Sequence, residues 1–278
     1  MARRVGPKQF HRLMRSLRLF SPRDNIFLSV IICLFLIPAC TPTIKKPAIE
    51  DHKIPPALFD KTYGQLIILS QGGVAIQYKG MQIVVDPNLA SEMDFSLTDY
   101  LLFTGRTPLS HMRIHVRPDI KIICPDWIKS TFMKSGLRYV KSLSDGQTLL
   151  LQKETYHAFL KGVTLSPAGL NGNLTAYFLE FDSGRTFFLD PGAISADELR
   201  DFLYGVRDDG KEIHIALHMI AEKTQNSLLD KIALLQPRLA LISGDEIPID
   251  LSLVKARLKE ELFEGTVFQL RPSQVIRF

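Results

Sequence analysis

Residues 74–89 read VAIQYKGMQIVVDPNL, and the pattern of this stretch points to the fold class. Val74–Tyr78 and Met81–Val85 are short apolar runs rich in β-branched residues, which suit a pleated, half-buried surface. Lys79-Gly80 between them has the chemistry of a two-residue hairpin turn. Asp86-Pro87 ends the second run, because proline cannot donate to a ladder. Upstream, residues 65–69 form a third run, separated from Val74 by Gln71-Gly72-Gly73. The segment therefore predicts an antiparallel meander. Downstream the pattern changes. Residues 100–104 (YLLFT) and 120–124 (IKIIC) are continuous runs of buried-strand type. Residues 126–135 predict a short helix, with Asp126 near its start and Gly136 past its end.

Beyond residue 136 the same logic returns. Residues 137–140, 147–151 and 155–159 read as strands. Residues 176–181 and 186–189 flank Asp182-Ser183-Gly184-Arg185, a hairpin signal. Helices are predicted over 195–204, 224–235 and 251–263, alternating with strands over 213–220 and 238–242. Residues 266–270 and 274–278 are expected to close the chain as a hairpin. Two halves, each a meander followed by strand–helix units, predict an α/β four-layer αββα sandwich in one domain over residues 57–278.

This order resembles the metallo-β-lactamase fold superfamily, particularly its lactonase and phosphodiesterase-like branch. VAIQYKGMQIVVDPNL is similar to that family's opening hairpin. YLLFTGRTPLSH (residues 100–111) stands where the family has a strand ending in Thr-His-x-His-x-Asp-His. AYFLEFDSGRTFFLDPG (residues 176–192) resembles the later hairpin that ends in Gly-Asp-Thr. The resemblance implies a dinuclear metal site, but the ligands are missing. Gly105, Thr107, Leu109 and Ser110 occupy the positions of His, His, Asp and His, and none is a useful zinc ligand. The next family histidine would fall near Leu170 and the last near Gly244-Asp245. Asp190 alone stands at the position of the bridging aspartate. Without metals the family's route to hydroxide is lost, so no cofactor is expected; a rebuilt site holding zinc or another divalent ion is the alternative.

Other residues compete for such a rebuilt site. His111 and His115 are four apart, which on a helix places both on one face; a pair of partly exposed helix residues is the plainer reading. Arg106, Arg113 and Arg117 nearby suit either a cationic mouth for an anionic ligand or an ordinary solvated face. His214 and His218 share a sheet face about 13 Å apart, so structural roles are expected for both. Asp86 and Asp190 precede prolines at strand ends, where turn-capping is expected. Asp245 with Glu246 is a further carboxylate candidate. No G-x-S-x-G, P-loop, G-x-G-x-x-G or C-x-x-C motif is present.

The first forty residues have a different character. Residues 1–39 hold seven basic side chains and one acid, leaving 27 basic and 28 acidic residues in the rest of the chain. The net charge of +5 and the pI near 9.0 thus belong to the leader. Phosphate binding needs clustered Lys and Arg, so no nucleic-acid partner is expected. Residues 26–37 (IFLSVIICLFLI) are uncharged and span only about 18 Å as a helix, short of a bilayer core of about 30 Å. A basic n-region and a short apolar run describe a signal peptide over residues 1–39. Ile37-Pro38-Ala39-Cys40 resembles the lipobox of bacterial lipoproteins. This implies cleavage before Cys40 and diacylation of its sulfur. Translation could begin at Met1 or Met14. Thr41 after the cysteine points to the outer membrane, facing the periplasm. Residues 40–56 hold four prolines and read as a tether. Cys124, the one thiol left, is expected to be a buried apolar residue.

The sequence thus predicts a lipid-anchored envelope protein whose metal-free domain serves as a binding or scaffold module. Its protein or small-molecule ligand is unknown. A metal-dependent hydrolase and an unrelated β-rich lipoprotein are the alternatives.

Overall fold

The computed structural model describes residues 63–69, 73–88, 95–106, 116–117, 119–143, 146–165, 173–192, 195–207, 211–219, 225–243 and 249–278. The leader, Cys40 and the tether lie outside the described residues. Among the described residues no helix is long and apolar enough to cross a membrane.

The opening meander forms as its turns demand. Strands β1 (Gly64–Ile68), β2 (Val74–Tyr78) and β3 (Met81–Val85) pair antiparallel, with Tyr78 opposite Met81 across the Lys79-Gly80 turn. The apolar runs β4 (Tyr100–Leu102), β5 (Lys121–Cys124) and β6 (Val140–Ser142) then add in parallel. Between β5 and β6 runs helix α1 (Asp126–Lys134).

The second half repeats this plan. Strands β7 (Thr148–Lys153), β8 (Tyr156–Leu165), β9 (Leu174–Phe181) and β10 (Thr186–Asp190) are antiparallel. Strands β11 (Ile215–Met219), β12 (Leu239–Ser243) and β13 (Thr266–Leu270) follow in parallel. They are linked by helices α2 (Ala196–Arg207), α3 (Gln225–Leu235) and α4 (Leu251–Glu260). Local signals start α2 and α4. Ser195 and Glu198 form a reciprocal capping box, and Asp250 accepts from the N–H groups of Ser252 and Leu253.

Two seven-stranded sheets result, ordered β14-β1-β2-β3-β4-β5-β6 and β13-β12-β11-β10-β9-β8-β7, where β14 is Val275–Arg277. Alternate side chains of both sheets meet in a central core that includes Ile76, Leu102, Leu179, Phe187 and Leu217. Outside the first sheet, Ile128 and Phe132 of α1 cover Ala75, Val84, Leu101 and Ile122. Outside the second, α2, α3 and α4 cover Phe188, Ala216 and Ala240. The layers are helix, sheet, sheet, helix, as the two-half pattern predicts. Cys124 is buried, and burial pushes its thiol pKa up to about 12.

Two expectations need correction. Residues 266–270 and 274–278 are not a hairpin: β13 pairs with β12 in the second sheet, whereas β14 crosses to pair with β1 in the first. The turn between them reverses the chain but joins different layers, so Leu270 and Ile276 both reach the central core. The strand expected over 137–140 begins at Val140. Residues 135–137 are spent ending α1, where the N–H groups of Gly136 and Leu137 bond back to Met133 and Phe132 around a left-handed Gly136.

Candidate functional site

The chain leaves β10 at Asp190, and its place in the fold makes this carboxylate unusual. All five residues of β10 are buried, because β9 and β11 flank the strand and layers cover both faces. Asp190 follows Phe188 by two residues, so it shares the outer face beneath α2 and α3. The parallel register sets His218, the fourth residue of β11, directly beside Asp190. Lys231 comes down onto the pair from α3. Asp190 and His218 are fully buried, and Lys231 is nearly so.

Both oxygens of the carboxylate are engaged. Lys231 Nζ donates to Asp190 Oδ2 at 2.7 Å, and His218 Nδ1 lies 2.8 Å from the same oxygen. Oδ1 accepts from the N–H of Gly192 at 2.8 Å, the turn-capping bond that a strand-end aspartate is expected to make. Burial alone would raise the Asp190 pKa, but the Lys231 charge and the His218 bond outweigh it and lower it to about 2. The carboxylate is therefore ionised and accepts only, which requires the proton on His218 Nδ1. Burial lowers the His218 pKa, partly opposed by Asp190, and keeps the ring neutral. Its Nε2 then carries a lone pair, buried and without a hydrogen-bond partner among the described residues.

The first sheet contributes a second aspartate. Asp86, beyond the end of β3, accepts from the backbone N–H of Thr104 at 2.8 Å and from its hydroxyl. These two bonds reach across to the neighbouring strand end, and they hold Asp86 at a φ of +43°. Arg106 keeps solvent exposure, yet lies within electrostatic reach of both Asp86 and Asp190. Desolvation by the surrounding protein lowers its pKa, and the two carboxylates oppose that shift.

Of the residues singled out in the sequence, Asp190 lies at the centre of this cluster. Gly105 follows the end of β4, with φ +91°. A Cβ there would lie 3.0 Å from the Asn173 carbonyl oxygen, so the backbone leaves little room for any side chain. Thr107, Leu109, Ser110, His111, His115, Leu170, Gly244 and Asp245 lie outside the described residues. His214 and His218 part company as their spacing predicts: His214 bonds Thr186, while His218 bonds Asp190. A structural role is expected for both, and what the sequence does not indicate is the place of His218 on the aspartate.

No protein-family model matches this sequence, and no curated protein does either. Solved structures do match. A CmlA β-hydroxylase E377D mutant has a TM-score of 0.57 and 15% identity, covering 78% of this chain and 54% of its own. The chain thus spans about half of that protein's length. Unliganded yeast PDE1 has a TM-score of 0.57 and 9% identity, covering 78% of this chain and 100% of its own. Both are metallo-β-lactamase-fold proteins. The fold is of the metallo-β-lactamase type.

That fold implies metals, and the donors can be tested against them. Asp190 has Oδ2 engaged by an ammonium and an imidazole N–H and Oδ1 by a peptide N–H. Gly105 has no side chain to offer, and a Cβ there would sit tightly against the Asn173 carbonyl. Among the described residues no three His, Cys, Asp or Glu side chains gather closely enough to hold an ion. Of the described donors, Asp190 is thus already committed to Lys231, His218 and Gly192.

Proposed function

We propose that this chain is an exported envelope lipoprotein, anchored through acyl chains on Cys40, whose metallo-β-lactamase-type domain works without metals as a binding or scaffold module. One observation carries the reading: Lys231 places an internal ammonium 2.7 Å from Asp190. A divalent ion would have to displace that ammonium and leave it buried and uncompensated, which is costly. The ion pair supplies the positive charge that metals supply elsewhere in the fold, and it holds β10, β11 and α3 together. The leader charge and the Ile37-Pro38-Ala39-Cys40 motif support export and anchoring.

Elemental analysis of protein purified without chelators tests the reading. Less than a tenth of an equivalent of zinc, iron or manganese is expected, and stoichiometric metal overturns it. Mass spectrometry of the N-terminal peptide tests the anchor separately, with diacylated Cys40 as the expected product.

One observation favours a rebuilt hydrolytic site instead, namely the unpartnered His218 Nε2. An aspartate-oriented imidazole with a bare nitrogen is the arrangement of a general base or a metal ligand. Under that reading, purified protein carries a metal or an esterase or phosphodiesterase activity that His218→Ala abolishes.

A further inference from the structure

Away from Asp190, the outer face of the first sheet carries a groove of about 830 Å³. It lies at the start of β3, whereas Asp86 follows the other end of that strand, four residues or about 13 Å on from Gln82. Helix α1 covers the half of the face built from Ala75, Val84 and Leu101. At the half that no described helix covers, the outward positions become glutamines. Gln65, Gln77 and Gln82 stand in register on β1, β2 and β3.

Their amides bond in sequence. Gln65 Nε2 donates to Gln77 Oε1, Gln77 Nε2 to Gln82 Oε1 at 3.1 Å, and Gln82 Nε2 to Thr98 Oγ1 at 3.3 Å. Each primary amide has two N–H donors and uses one in this chain. The ladder thus fixes the side chains while leaving a row of donors on the groove floor. Preorganised donors of this kind bind polar ligands with little loss of conformational freedom.

The walls are cationic. Lys79, Arg117, Lys153 and Arg277 line the groove, against one carboxylate in the lining, Asp99; Lys79 also pairs with Asp182 at 3.2 Å. This excess is local, since the chain after residue 39 is close to neutral. Lys153 bonds the Gly80 carbonyl and Asp99, and Arg117 bonds the Thr98 carbonyl and lies 3.5 Å from Asp119. An ammonium has three donors and a guanidinium five, so both retain donors for a ligand. The Tyr63 ring adds a flat apolar wall.

We propose that this groove binds a sugar phosphate. The phosphate would engage Arg117 and Lys153, and the hydroxyls would engage the glutamine amides and Asp99. A bare phosphate would leave most of a groove of about 830 Å³ empty, and a neutral sugar would leave its basic side chains without an anion. Occupancy of the groove is independent of the chemistry at Asp190.

Calorimetric titration of the intact protein in mild detergent tests it, with glucose 1-phosphate, inositol 1-phosphate, glucose and inorganic phosphate as probes. At least one sugar phosphate is expected to bind tenfold or more tightly than either glucose or inorganic phosphate. Preference for inositol 1-phosphate assigns the source to a lipid headgroup, and preference for glucose 1-phosphate assigns it to a free metabolite. Gln77→Leu should weaken the preferred sugar phosphate about tenfold and leave inorganic phosphate unchanged. Arg117→Gln, at an exposed position that should not affect folding, should weaken both. Equal affinity for all four probes, or no binding by any, overturns the proposal.

Discussion

Leu228, Lys231, Ile232 and Leu235 are spaced three and four apart on α3, so one helix stripe carries three apolar side chains and an ammonium. That misplaced charge is legible from the spacing of residues alone, as is the histidine at the fourth position of the apolar run IALHM. What is not legible is that both meet Asp190, because the register between β10 and β11 is set by packing between layers. The pH dependence of stability follows from the meeting. Burial lowers the His218 pKa below its ordinary value near 6.5. The unfolded chain therefore takes up more protons than the folded one once pH falls through 6.5. Stability from His218 is complete above that point and is lost below it. His214 carries the same sign. Asp190, held at about 2, adds a second loss between about pH 4 and pH 2. The urea midpoint should fall as pH drops from 7.5 to 5, and His218→Asn should flatten part of that fall while His214 keeps the remainder. An unchanged slope in the variant would show that His218 is not held neutral.

At the level of strands and helices, Val74–Tyr78 and Met81–Val85 lie where alternation and turn residues put them. The reason is local: a two-residue turn dictates register for both strands it joins. Gly73, which leads into β2, depends on more than its neighbours. Its φ is +87°, and a Cβ would meet the Asp86 and Val85 carbonyl oxygens at 2.6 and 2.7 Å. Gly73→Ala should cost at least about 1–2 kcal/mol and lower the melting temperature. By shifting Asp86 it should also perturb the bonds to Thr104. A thermal melt no lower than wild type would show that the β1–β2 connection can relax. The ends of elements are harder to read than their centres. The run starting at Leu137 has strand composition, yet its first residues complete the turn that ends α1.

Across the two layers, the sheets are tied at the last strand. β14 leaves the second sheet to become the edge of the first, and it delivers Phe278 between them. The Phe278 ring lies 4.7 Å from Phe187 and 6.3 Å from Phe181, both on the second sheet. Phe278→Ala should cost about 3–5 kcal/mol. Because the ring contacts the opposite layer, the loss should appear as one cooperative unfolding transition at lower urea. Two separate transitions would show that the sheets fold independently.

Periodicity, turn chemistry and residue identity act over a few positions. They suffice for the two-half order of strands and helices and the layered class. They do not reach the parting of β13 and β14 or the sharing of Asp190 by Lys231 and His218. Each of those is settled in three dimensions, by strands distant in the chain coming into register, and register is set by which faces bury against which.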